Sequence, residues 1–297
     1  MKKISIISAL FIFCALICIF IFVCFNHNPQ PKPNLADTVT ETDLTDNKED
    51  LLSRVGLPNG AIVQTKKASL SSSDTAPSSQ SQIHLIVDYD KYNDKIYHDS
   101  YLVIETKDGL TIEHIGEDGF GSYGDTLYVC DIDGDRLDEI IVHSTIGMSG
   151  GAGQYASRVY SYTGNDLSLI FDSLKDYPFD TGYFAECRDG YEIVILNKFT
   201  DYEKIIAYST AKALFGSYFD ENGMVVSQPM MWTDSFFEFI PQDLDGDEIF
   251  EIKAVQYASL NGHTNYIGNA VSILKYDTQK GTFDIIETTF EEVSVTQ

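Results

Sequence analysis

Cysteine is scarce in this chain and poorly placed for cross-linking. There are five; Cys14, Cys18 and Cys24 fall inside an apolar amino-terminal run, which leaves Cys130 and Cys187 beyond it. Two thiols without a CxxC spacing build neither a disulfide framework nor a thiolate metal or redox centre, so both are expected as buried free thiols. Histidine is thin as well. His84, His98, His114, His143 and His263 show no HxH or HxxxH spacing, which argues against zinc. Positive charge is the third shortage: 20 lysines and arginines stand against 45 acids, a formal net charge of -25. Such a surface repels nucleic acid and anionic headgroups and favours cations, so no nucleic-acid partner is expected. Beyond the amino terminus no long stretch has a helical period, which points away from helical folds.

What is present falls into three compositional zones. "MKKISIISALFIFCALICIFIFVCF" opens with Lys2 and Lys3 and runs apolar from Ile4 to Phe25, long enough to cross a bilayer as a helix. The lysines place its start in the cytoplasm, and no A-x-A cleavage pattern follows. Residues 1–25 are therefore expected as a single-pass signal-anchor, with the remainder extracytoplasmic. Lipidation at a cysteine is the rival, opposed by bulky Ile17 and Val23 before Cys18 and Cys24. From 26 to 81 the chain turns to Pro, Ser, Thr, Asp and Asn and reads as a flexible linker, within which "NKEDLLSRVGLPNGAIV" allows one short helix and a turn. From 82 to 297, short β-rich runs such as "HLIVDY", "SYLVIET", "EIIVH", "FFEFI" and "VSILKY" alternate with DG, NG and GN turns, which predicts an all-β domain.

These runs repeat. The KDG turn, an acidic loop and "SRVYSYTGNDLSLIF" in one half match an ENG turn, a second acidic loop and "SILKYDTQKGTFDII" in the other, with 112 residues from Asp131 to Asp243. A duplication over about 83–185 and 190–297 is expected. It would form duplicated antiparallel blade-like sheets, a partial or small β-propeller, or in the alternative a tandem β-sandwich.

The acidic loops hold most of the chemical information. "DIDGDRLDEIIV" sets Asp131, Asp133 and Asp135 on alternate positions, Gly134 in fourth place and Glu139 in ninth; "DLDGDEIFEIKA" repeats the pattern with Asp243, Asp245, Asp247, Gly246 and Glu251. Like charges converge only around something positive, and hard oxygens in this number suit Ca²⁺. The backbone carbonyls of Leu137 and Ile249 are expected as further ligands. An EF-hand needs glycine in sixth place and glutamate in twelfth, whereas these loops have Arg136 and Glu248, then Val142 and Ala254.

The pattern resembles the calcium loop of FG-GAP and VCBS repeats, found in the β-propeller of integrin α chains and in bacterial surface proteins. Both loops match it at the first, third, fourth and fifth positions, with Glu for Asp at the ninth and no glycine at the sixth. Phe120 and Gly121, and "GGAGQ" from Gly150, are similar to remnants of the name-giving sequences in the first half. The resemblance implies calcium-organised β repeats at a cell envelope, with binding or adhesion to an extracellular protein or glycan. A calcium-supported envelope hydrolase is the alternative. "GMSGG" at 147–151 fits G-x-S-x-G, with His263 as a possible base, but a nucleophile elbow needs a helix after Ser149, and strand-like residues follow instead. No catalytic constellation is expected.

Overall fold

The computed structural model describes residues 45–72, 80–88, 99–115, 125–149, 152–164, 166–175, 179–207 and 218–292. The chain divides into two compact units, Met1–Thr45 and Asp46–Gln297. The first lies outside the described residues except for Thr45, and so does the expected anchor at 1–25. Among the described residues no helix is long and apolar enough to cross a membrane.

Among the described residues the second unit is all-β apart from the short helix α1 (Thr45–Arg54), with four antiparallel sheets. The first holds β1 (Ala61–Ala68), β2 (Ser81–Asp88), β3 (Asp99–Thr106) and β4 (Gly109–His114). The second holds β5 (Asp125–Cys130), β6 (Glu139–Ser149), β7 (Ala152–Thr163) and β8 (Asp166–Asp172). Three strands, β9 (Tyr183–Arg188), β10 (Glu192–Asn197) and β11 (Glu203–Ala207), make the third. The fourth holds β12 (Met231–Gln242), β13 (Glu251–Leu260), β14 (Tyr266–Asp277) and β15 (Thr282–Glu292). Within each sheet every strand pairs with its neighbour in sequence, as short turn-rich connections favour.

The folded unit starts earlier than the linker expectation allowed. Part of the 26–81 segment is α1 and β1, and β1 pairs with β2 from Ala61↔Val87 to Ala68↔Ser81. Leu51 of α1 packs on Ile86 and Val103 at the back of the first sheet. The polar run Gln64–Lys67 of "AIVQTKKA" hides this strand from a composition reading, because its order comes from pairing with β2 rather than from an apolar run of its own.

Sheet stacking accounts for the strand sequences. Ile83, Leu85, Leu102 and Ile104 of the first sheet share a core with Leu127, Ile140 and Val142 of the second. Ile141, Val159 and Phe171 on the opposite face of the second sheet share another with Phe236, Phe239, Ile252 and Leu274 of the fourth. A strand buried on both faces needs an unbroken apolar run, which is "EIIV". The corresponding stretch of β13, "EIKA", keeps Ile252 and Ala254 inward, but Lys253 pairs with Glu238 at 3.7 Å. The third sheet packs its Ile193, Ile195 and Ile206 on the other end of the fourth, against Ala258, Leu260 and Ala270.

Loop position two makes the same point in one residue. Ile132 is 1% exposed inside the core shared by the second and fourth sheets, while Leu244, at the same place in the second loop, is 51% exposed. Ile132→Ala is expected to cost about 2–4 kcal/mol and Leu244→Ala within about 0.5 kcal/mol, compared by urea unfolding. Equal losses at the two positions would refute this account of the stacking.

Candidate metal centre

Each acidic loop joins the first two strands of its sheet, β5 to β6 and β12 to β13, and each is curled by its own aspartates. In the first, Asp131 Oδ1 accepts the Gly134 N–H at 2.7 Å and the Asp133 N–H at 3.2 Å, and its Oδ2 accepts the Arg136 N–H at 2.8 Å. Asp133 Oδ1 takes the Asp135 N–H at 3.0 Å, and Asp135 Oδ1 takes the Leu137 N–H at 2.7 Å. The second loop repeats the set: Asp243 accepts from Gly246 and Glu248, Asp245 from Asp247, and Asp247 from Ile249. The sixth residue must take a left-handed backbone, φ 70° at Arg136 and 68° at Glu248. That conformation is the reason glycine is favoured there, and both loops adopt it without glycine.

The expected ligands converge unequally. One carboxylate oxygen from each of Asp131, Asp133 and Glu139 lies within 4.8 Å of the others; in the second loop the group is Asp243, Asp245 and Asp247. Asp135 and Glu251 stand outside these two groups. Leu137 and Ile249 sit at the expected place in their loops, where their N–H groups cap the fifth aspartates.

The ninth position separates the loops further. Glu139 is 2% exposed and accepts the Ile132 N–H at 3.0 Å on Oε2. Among the described residues no cation is paired with it. Burial first, then the charges of Asp133, Asp135 and Asp131, push its carboxyl up to about 8. Burial also raises Asp133 and Asp138 above the ordinary carboxylate range. Glu251, 3% exposed, is met by the ammonium of Lys275, whose Nζ lies 2.6 Å from Oε1. Lys275 comes from β14 and reaches Glu251 through the β13–β14 register, which leaves no mark in the local sequence.

The loops also touch. The Phe250 N–H donates to the Asp131 carbonyl at 2.8 Å, as the Asp138 N–H donates to the Ser69 carbonyl at 2.9 Å one sheet earlier. A cavity of about 750 Å³ between the loops is lined by Asp131, Arg136, Asp138, Asp247 and Glu248 among others. The donor set is all oxygen and strongly acidic, which fits a hard divalent cation and not a thiolate or imidazole metal. Both remaining thiols, Cys130 and Cys187, are free and buried.

The hydrolase residues are arranged otherwise. Ser149 ends β6 and Ala152 begins β7, so the glycine motif joins two paired strands, and His263 Nδ1 lies 2.6 Å from Asp234 Oδ1. Phe120 and Gly121 lie outside the described residues.

Comparison with known proteins gives one family and one relative. Residues 182–291, the third and fourth sheets with the second acidic loop, match the family described as the YybI C-terminal domain. The chain is 21% identical over 165 residues to the uncharacterized protein YybI of Bacillus subtilis (strain 168), covering 54% of this chain and 61% of that protein. No solved structure matches the chain.

Proposed function

We propose that this chain is a membrane-anchored, extracytoplasmic β-repeat module in which the acidic loops bind calcium to lock neighbouring sheets together. On this reading it presents its β surface to an extracellular protein or glycan at the cell envelope. The observation that supports calcium most directly is Glu139, a buried carboxylate facing two aspartates with no cation among the described residues. A bound divalent ion would supply the missing positive charge. Asp131, Asp133 and Glu139 would hold it in the first loop, and Asp243, Asp245 and Asp247 form the corresponding group in the second.

A blade-like repeat in a partial or small propeller is favoured by three observations. The second and fourth sheets are both sequential four-strand antiparallel meanders. Their loops are followed by strands that open at Glu139 and Glu251. Each loop donates its eighth N–H to the residue just past the first strand of the sheet stacked against its own, Asp138 to Ser69 and Phe250 to Asp131.

The test is calorimetric titration of the full chain, purified in detergent, with calcium. Wild type is expected to show at least one saturable site and a calcium-dependent rise in melting temperature, which Asp131→Asn/Asp133→Asn removes from the first loop. At affinities near 10⁻⁴ M and about 1 mM calcium, mass action adds roughly 1.4 kcal/mol per occupied site. Absence of both calcium heat and thermal shift would reduce the loops to acidic turns.

A further inference from the structure

We infer that Lys275 is the resident cation of the second acidic loop, so that only the first loop depends on calcium. This rests on the calcium reading and divides the two loops that the sequence makes look alike. Glu251 and Glu139 hold the same ninth position, open the equivalent strands β13 and β6, and are buried to the same degree. What differs is the neighbouring strand.

Ile252 pairs with Leu274 across β13 and β14, which brings Lys275 beside Glu251 and its Nζ to 2.6 Å from Oε1. Ile140 pairs with Tyr160 across β6 and β7, so the same step along that ladder brings Ser161, an uncharged residue, beside Glu139. An ammonium held by a buried carboxylate satisfies its charge as an ion would, at no cost in metal affinity to the fold. The Lys275 side chain is 41% exposed, while the Glu251 carboxylate it meets is 3% exposed.

A metal that takes Glu251 as its ninth-position ligand must therefore displace a covalently tethered competitor. That competitor has a high effective concentration and no dissociation from the molecule. The first loop has no such competitor among the described residues and keeps its ninth carboxylate for the metal. The exposure of Asp243, Asp245 and Asp247 agrees with this, since solvent already screens them, whereas Glu139 is buried. Lys275 is thus the residue that sets which loop responds to calcium.

The experiment is calcium titration calorimetry on the full chain in detergent, with melting temperature followed in chelator and in 1 mM calcium, for wild type, Lys275→Met, Lys275→Arg and Glu139→Gln. Wild type is expected to give one site, lost in Glu139→Gln. Lys275→Met is expected to gain a second site by at least tenfold in affinity and to melt lower in chelator, with calcium restoring the loss. Lys275→Arg keeps the charge and the single site, and it serves as the variant to read should Lys275→Met fold poorly.

Two wild-type sites within threefold of each other, or a Lys275→Met profile identical to wild type, would overturn the assignment while leaving the calcium reading intact. A second site gained by Lys275→Arg would overturn it as well. No calcium heat in any of the four proteins would remove the calcium reading itself.

Discussion

In calcium-free buffer at pH 8, Glu139→Gln is expected to melt higher than wild type by roughly 5–10 °C, and the gap should close as the pH is lowered toward 4. Glu139 is nearly fully buried, and its carboxyl is pushed up to about 8 by burial and by the three loop aspartates. A group whose folded value lies above its unfolded one stabilises the fold fully below the ordinary carboxylate range, and this contribution is lost as the pH rises through the folded value. The window is therefore about pH 4.5 to 8, with stability falling upward. Asp133 and Asp138 are shifted in the same direction and add to the slope. Asp277, held low by its hydrogen bond from Lys280, has the opposite sign and acts only at more acidic pH.

The size follows from the displacement. Each pKa unit is about 1.4 kcal/mol, and relaxation of the surroundings leaves roughly 3 kcal/mol at pH 8, equivalent to a few degrees per kcal/mol in a domain of this size. Glutamine keeps an oxygen for the Ile132 N–H, so the substitution removes the charge and little else. In calcium the order should reverse in consequence, because wild type gains the ion and the variant does not. Thermal melts in chelator and in calcium at pH 5, 6.5 and 8 decide the matter. A variant that melts no higher than wild type at pH 8 in chelator would show that Glu139 ionises there without penalty.

How much of this could be read from the sequence depends on whether an interaction is local. The acidic loops were legible because their hydrogen bonds run within a nine-residue span, from the Gly134 N–H on Asp131 to the Ile132 N–H on Glu139. Buried strands such as "EIIV" were legible for a similar reason, since burial on both faces writes itself as an unbroken apolar run. Strand β1 was not, because its residues look like a solvated tether until β2 is set beside them. Lys275 was not either: it reaches Glu251 through the register of β13 on β14, and a lysine in a strand carries no local mark of what lies opposite. The third sheet begins at Tyr183, ahead of the 190 expected for the second repeat, because β9 is a short strand that owes its place to pairing with β10.

Phe239→Ala is expected to be among the most damaging single truncations, at about 3–5 kcal/mol. Phe239 is fully buried and stacked on Phe171 at 5.6 Å between ring centres, with Phe236 at 5.5 Å and Phe283 edge-on at 6.4 Å. Phe171 belongs to the second sheet and the others to the fourth, so the ring joins two sheets and its loss leaves a cavity at their seam. The two thiols report on where the damage falls. Cys130 lies in that same core, while Cys187 lies in the core shared by the third and fourth sheets. Burial raises both above the ordinary thiol range, to about 11 for Cys187 and further for Cys130, so neither reacts readingly while its core is closed. If the seam opens on its own, Cys130 labelling by a thiol reagent, read at its own peptide by mass spectrometry, should accelerate about 100-fold or more in Phe239→Ala, since each ~1.4 kcal/mol is a factor of ten. Cys187 should change far less, because Ile193, Ile195, Leu260 and Phe290 still enclose it. Equal acceleration at both thiols would mean that the four sheets unfold as one cooperative body. In that case a calcium ion bound at the first loop would stabilise the whole unit and not the seam beside it.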